Sequence, residues 1–206
     1  MPSLLRLDAS SRRDGSHSRA LADVFEAAWV TRFPGATVTR RDLVANPIAH
    51  IHETTIAGFY TPVDKLDDKL KGAVALSDEL IAEVNTADTI LIATPMYNFS
   101  VPSALKSWID QIVRINRTFS YDGTNFTGLV KARRVIVVAA FGAGGYGGAL
   151  ASADFVTPYL KFLFGFLGVS DVTVIPAEAT TADALTVASN VDLAKANILK
   201  LVQAAA

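Results

Sequence analysis

Residues 88–110 read DTILIATPMYNFSVPSALKSWID. Asp88–Thr94 is an apolar, β-branched run of strand length, the pattern of a strand buried on both faces. Pro95 then turns the chain. Met96, Tyr97, Asn98 and Phe99 come next, and Pro102 opens a helix that runs to Arg114, at a position where its missing N–H costs nothing. Strand, aromatic turn and helix make one βα unit, and comparable units stand on either side of it.

Towards the N-terminus, Ser3–Asp8 reads as a short strand and Ser18–Phe33 as a helix, with Leu21, Val24, Phe25, Ala28 and Trp29 at helical spacing and Pro34-Gly35 as its stop. Ala36–Leu43 alternates like a strand at the margin of a sheet. Asn46–Pro62 has no clear period. Leu66–Asn85 is an amphipathic helix carrying Leu70, Val74, Leu76, Leu80, Ile81 and Val84 on one side. Beyond the opening stretch come a buried strand, Arg133–Ala140, a helix, Ser152–Leu167, a last strand, Val172–Ile175, and a last helix, Thr181–Ala205. Strands separated by helices predict a parallel sheet covered on both faces. The fold class is therefore α/β: a three-layer, flavodoxin-like arrangement with a five-stranded parallel sheet in the order 2-1-3-4-5, and residues 1–206 as a single domain. Residues 115–131, INRTFSYDGTNFTGLVK, form one long excursion rich in aromatics and turn residues; loops of that length are often functional.

Composition narrows the function. Lys+Arg 19 against Asp+Glu 20 leaves a net charge of -1, which argues against a nucleic-acid or polybasic membrane surface but permits one local anion site. The chain has no cysteine, which removes disulfides, thiolate metal sites and cysteine nucleophiles. MPSLLRLDASS is interrupted by Arg6 and Asp8 and does not read as a signal peptide. No stretch approaches the about 20 apolar residues of a membrane span. A cytoplasmic protein is expected. His50 and His52 lack a third ligand, so no metal site is expected. Asp64, Asp67 and Asp68 read as a helix start and solvated face.

In such a sheet ligands sit beyond the carboxyl ends of the strands, where the strand order reverses. The loops after the first, third and fourth strands meet there. The first, DASSRRDGSHSR at 8–19, brings Ser10, Ser16 and Ser18 to a helix start, with Arg12, Arg13 and Arg19 nearby. Free N–H groups and the helix dipole there suit a phosphate; the plainer reading is that Ser18 is an N-cap. The second offers Met96, Tyr97 and Phe99 as apolar faces and Asn98 as donor and acceptor, a set suited to a flat ligand with polar edges; the alternative is aromatics packed into the core. The third, FGAGGYGG at 141–148, matches G-x-G-x-x-G at Gly142, Gly144 and Gly147. The acid required about 20 residues on is missing, so it reads better as a mobile loop whose backbone approaches a ligand closely.

Taken together these residues resemble the FMN-dependent NADH:azoreductase family, also described as NADH:quinone reductases. The resemblance rests on PMYNF at 95–99 with LK at 105–106 and ID at 109–110, and on serines at 10, 16 and 18. It extends through RDLxANPI at 41–48, ALSDELIAE at 75–83, TFxY at 118–121, GLV at 128–130 and DxVTPYL at 154–160. It implies one bound FMN per subunit, with NADH as co-substrate. Ser10, Ser16, His17 and Ser18 would hold the phosphate, Met96, Tyr97, Asn98 and Phe99 would run along the isoalloxazine, and Ala140, Phe141, Gly142 and Ala143 would contact its far side. It implies a homodimer whose substrate slot for quinones and azo compounds uses Phe99, Phe119, Tyr121 and Phe162. No protein acid or base is required, because the flavin carries the redox chemistry in two alternating steps. One departure stands out. The family's third loop commonly reads Ser-Arg-Gly-Gly with a histidine soon after, whereas here it is Ala140-Phe141-Gly142-Ala143 with Gly145 near the histidine's place. Competing classes are an FMN electron carrier, a reductase that releases reduced flavin, and a non-flavin dinucleotide-binding protein.

Overall fold

The computed structural model describes residues 1–204. The chain runs β1 (Ser3–Asp8), α1 (His17–Arg32), β2 (Thr37–Asp42), α2 (Glu53–Tyr60), α3 (Asp68–Thr86), β3 (Thr89–Pro95), α4 (Ser103–Ile112), β4 (Phe119–Tyr121), β5 (Phe126–Gly128), β6 (Arg134–Ala140), α5 (Thr157–Phe166), β7 (Asp171–Ala177) and α6 (Ala184–Ala204). Five strands pair in parallel in the order β2-β1-β3-β6-β7, which is the expected 2-1-3-4-5 once the small β4–β5 hairpin is set aside.

The alternation along β3 shows how the layers form. Ile90 and Ile92 face Leu80 and Ile81 of α3, Trp108 and Ile112 of α4, and Leu160 and Phe164 of α5. Leu91 and Ala93 face the opposite way, into Leu21 and Phe25 of α1 and Ile198 and Val202 of α6. Each of the large side chains is buried, which contributes about 1.5–3 kcal/mol apiece relative to exposure. Asp67 caps α3 by accepting the Leu70 N–H at 2.8 Å, as its place in the acidic cluster suggests.

Several boundaries differ from the sequence reading. Helix α1 starts at His17 with Ser16, not Ser18, as its N-cap, because Gly15 reverses the chain in the left-handed region (φ 67°) just upstream. The unassigned Asn46–Pro62 segment holds α2. The expected helix from Ser152 begins only at Thr157, since the Asp154 carboxylate accepts the Val156 and Thr157 N–H groups (2.8 and 2.9 Å) and so starts the helix afresh. The 115–131 excursion folds into the β4–β5 hairpin, with Phe119 opposite Gly128. The last helix starts at Ala184, and its expected end, Ala205, lies outside the described residues. Among those residues no helix is long and apolar enough to cross a membrane.

Candidate functional site

A cavity of about 220 Å3 opens at the carboxyl ends of the central strands. Ser10, Arg12, Gly15, Ser16, His17 and Ser18 line it from the first loop, Pro95, Met96 and Tyr97 from the second, and Ala140 and Gly142 from the third. Thr180 and Thr181, from the β7–α6 turn, complete the wall. A larger cavity, about 420 Å3, lies at the amino ends of the strands beside Trp29, Asp88 and Arg133. The smaller one is the candidate site, because the strand-end loops and the start of α1 converge on it.

The first loop gathers hydrogen-bond donors at a helix start. Ser10, Ser16 and Ser18 are all buried. Ser16 Oγ caps the Arg19 N–H at 3.5 Å and lies 3.3 Å from Ser18 Oγ. No protein group bonds the Ser10 hydroxyl among the described residues. The N–H groups of His17 and Ser18 sit in the first turn of α1 and have no intrahelical acceptor. Arg12 brings positive charge to the cavity, whereas Arg13 is exposed and does not line it. Arg19 turns inward instead of joining them. Its guanidinium donates to Asp42 Oδ2 and Oδ1 (2.8 and 2.9 Å) and to the Ser10 carbonyl (2.8 and 3.3 Å). That pairing holds the Asp42 carboxyl well below the usual carboxylate range, helped by the Ala45 and Val44 N–H groups. Behind it, buried Arg6 donates to both oxygens of Asp8 (3.1 Å each), to Asp23 (2.7 Å) and to Glu26 (3.1 Å). Burial pushes the Asp8 carboxyl up against the pull of Arg6.

In the second loop Pro95 is the last residue of β3, paired with Ala140, and Met96 N–H still bonds the Ala140 carbonyl at 2.9 Å. The reversal comes two residues later. Tyr97 and Ser100 exchange two backbone hydrogen bonds (3.0 and 3.1 Å) around Asn98 (φ 49°) and Phe99 (φ 70°). Two central residues in the left-handed region define a type I′ turn. Asn tolerates that region; Phe there costs about 1–2 kcal/mol. Such strain tends to cluster at functional sites. Met96 and Tyr97 line the cavity; Asn98 and Phe99 form the exposed tip just outside it.

The third loop is not a free mobile turn. The Phe141 side chain is buried, its ring 4.9 Å from that of Tyr146, so only its backbone is on offer to the cavity. The Phe141 carbonyl accepts from Thr180 N–H and Oγ1 (3.0 Å each), the Gly142 carbonyl from Thr181 N–H and Oγ1 (3.2 and 2.9 Å), and the Ala143 carbonyl from Ala179 N–H (2.9 Å). Thr180 and Thr181 escaped the sequence reading; their signal was two adjacent hydroxyls in the turn that follows the last strand.

Phe99, Phe119, Tyr121 and Phe162 do not line this cavity. Phe119 packs on Phe126 and Phe166 (6.1 and 5.0 Å between ring centres), and Tyr121 stacks on Phe126 at 4.6 Å. Phe162 is 74% exposed, and with Phe126 (60%) and Phe155 (57%) it presents aromatic surface to solvent. His50 and His52 serve local structure: His50 Nδ1 lies 3.1 Å from Ser107 Oγ, and the His52 N–H bonds Thr55 Oγ1 at 3.3 Å.

A family model described as the flavodoxin-like fold matches residues 2–202. An FMN-dependent NADH:quinone oxidoreductase of Xanthobacter autotrophicus is 52% identical over 176 residues, 84% of this chain and 85% of that protein. Another so named, from Hyphomonas neptunium, is 43% identical over 98% of this chain and 97% of its own length. A solved FMN-dependent NADH-azoreductase from Bacillus anthracis, in complex with FMN, superposes with a TM-score of 0.85 at 23% identity, covering 98% of this chain and 100% of that one. A family model matched over residues 2–202, together with identity at this level over most of the chain, places the chain in the flavodoxin-like family of FMN-dependent NADH:quinone oxidoreductases.

Proposed function

We propose that the chain binds FMN in the carboxyl-end cavity and, as a homodimer, passes electrons from NADH to quinones and to azo compounds, cleaving the latter to amines. One observation carries the reading: a hydroxyl-lined helix start, Ser10, Ser16 and Ser18 with the His17 and Ser18 N–H groups, faces an apolar strand-end wall of Met96 and Tyr97 across one cavity. Neutral donors plus the nearby Arg12 suit a phosphate, and the Met96–Tyr97 wall suits a flat ring system.

FMN held between Ser10, Ser16 and Ser18 on one side and Met96 and Tyr97 on the other would supply the redox chemistry: hydride acceptance from NADH and two-electron donation to the acceptor, in alternating half-reactions. The protein's part is position and electrostatics. Met96 and Tyr97 support one side of the ring and exclude water there. Asn98, at the turn tip, offers its amide to a polar ring edge. On the opposite wall the Gly142 N–H has no protein acceptor among the described residues and favours negative charge nearby, with Ala143 just beyond the lining. The lining contains no carboxylate, which supports a reaction in which the protein orients rather than protonates. The exposed aromatics Phe99, Tyr121, Phe126 and Phe162 form the face a second copy covers, and burial there completes the substrate slot.

The test is spectroscopic. The purified protein is expected to carry or take up FMN, to bleach on anaerobic addition of NADH, and to recover colour with a quinone or decolourise an azo dye. Parallel double-reciprocal plots are the expected sign of alternating half-reactions, and light scattering reads the dimer. A colourless protein that takes up no FMN overturns the reading. Flavin that NADH does not reduce points to an electron carrier instead.

A further inference from the structure

The G-x-G-x-x-G match at Gly142, Gly144 and Gly147 is left over from the flavin reading. An acid, Glu178, does follow directly after the next strand, β7, but that side chain is turned back onto the loop. Its Oε2 accepts the Gly145 N–H at 2.6 Å and the Tyr146 N–H at 3.3 Å. Its own carbonyl accepts Asn190 Nδ2 at 2.9 Å, which anchors it to α6. Gly145 has φ 96°, open to glycine, and Ala179 is held at φ 55° beside the contact.

The bonds upstream act in the same sense. The carbonyls of Phe141, Gly142 and Ala143 all point to the Ala179–Thr181 turn. In a planar trans peptide the following N–H points the opposite way. The N–H groups of Gly142, Ala143 and Gly144 are therefore aimed away from that turn, and none has an acceptor among the described residues. The loop is fixed at both ends, by threonines at its start and by Glu178 at its far end. Ala140 and Phe141 bring no polar side chain to this wall, so the polar contacts that the loop itself can offer come from its backbone, held in one conformation.

We propose that Glu178 is a positioning residue for the flavin site: it clamps residues 145–146 and so keeps the Gly142–Gly144 N–H groups presented to the cofactor. The assignment rests on the FMN reading above. Charge-assisted bonds to backbone N–H are the strong kind, and their loss leaves two donors without a partner.

Three proteins test it: wild type, Glu178→Ala and Glu178→Gln. Amide hydrogen exchange on the apo proteins reads the clamp without any cofactor. In Glu178→Ala the amides of residues 144–147 are expected to exchange at least ~10-fold faster, with protection in β1, β3 and β6 unchanged. FMN titration by flavin fluorescence is expected to show an ~10-fold weaker Kd, with a changed visible spectrum of the bound flavin. Glu178→Gln keeps an acceptor oxygen in place and is expected to restore most of both. Unchanged exchange, or faster exchange with FMN affinity and spectrum intact, overturns the proposal, and so does a Gln variant that behaves like Ala. A wild-type protein that keeps the clamp yet takes up no FMN overturns the flavin reading, and this assignment with it.

Discussion

Arg19 and Asp42 form a two-pronged pair at 2.8 and 2.9 Å, and the same guanidinium holds the Ser10 carbonyl. A residue in the first turn of α1 thereby ties the end of β2 to the loop after β1. Lysine cannot copy that fork. Arg19→Lys is expected to lower stability by about 1–3 kcal/mol in urea unfolding and to weaken FMN binding on the order of tenfold. Unchanged FMN affinity would show that the serine loop keeps its shape without the brace.

The same pair sets an acid limit. Arg19 first, then the Ala45 and Val44 N–H groups, hold the Asp42 carboxyl well below its ordinary 3.8 in the folded chain. The unfolded chain therefore takes up this proton at a higher pH than the folded one. The stabilisation is fully present above about pH 5 and drains away as the pH falls below the ordinary value. Asp42→Asn is expected to flatten the thermal midpoint between about pH 5 and pH 2 relative to wild type. Equal slopes would assign the acid sensitivity to other carboxylates.

Phe99 occupies a left-handed turn position and is 56% exposed. Phe99→Gly is expected to raise stability by about 0.5–1 kcal/mol, since glycine adopts that conformation freely. It is also expected to raise the quinone KM, because the aromatic tip is lost. A variant destabilised by the change would mean that the ring packs on something that offsets the strain.

A Cβ placed on Gly128 would lie 2.1 Å from the Gly168 nitrogen and 2.2 Å from the Leu167 carbonyl carbon. Both are main chain and cannot swing aside. Gly128→Ala is expected to cost about 3 kcal/mol or more in thermal or urea unfolding, and to release the β4–β5 hairpin and its aromatic face. If the proposed homodimer uses that face, light scattering would then show weakened association. A near-neutral result would mean that the hairpin rests on α5 loosely enough to shift.

The sheet order and the three loops were legible because they obey local rules: TILIA and VIVVAA fit strands buried on both sides, and the segment leaving a buried parallel strand is a strand-end loop. The features that escaped depended on distant partners. The β4–β5 hairpin needs Phe119 to meet Gly128, although Asp122-Gly123 was a usable turn signal. In the sequence Arg19 groups with Arg12 and Arg13 beside the serines of a phosphate site, and only the position of Asp42 on the neighbouring strand shows that it is paired instead. Thr180 and Thr181 enter the wall because β7 runs to Ala177 and its end lies beside Phe141, a register that the spacing of apolar residues does not reveal. The glycine loop was read as mobile because nothing within it announces Glu178, which is more than thirty positions away.

The strand order also governs when the site comes into being. Strand β1 pairs with β3, whose residues lie some eighty positions later, and β7 joins the sheet last, against β6. Parallel pairings at such separations form slowly, because each closes a long loop before any contact rewards it. During synthesis the serine loop emerges early but faces nothing until β3 docks, and its opposite wall is incomplete until residues 178–181 have left the ribosome. A chain cut short before residue 178 would leave the cleft without the Thr180–Thr181 part of its wall, so a complete cofactor site forms only once nearly the whole chain has been made.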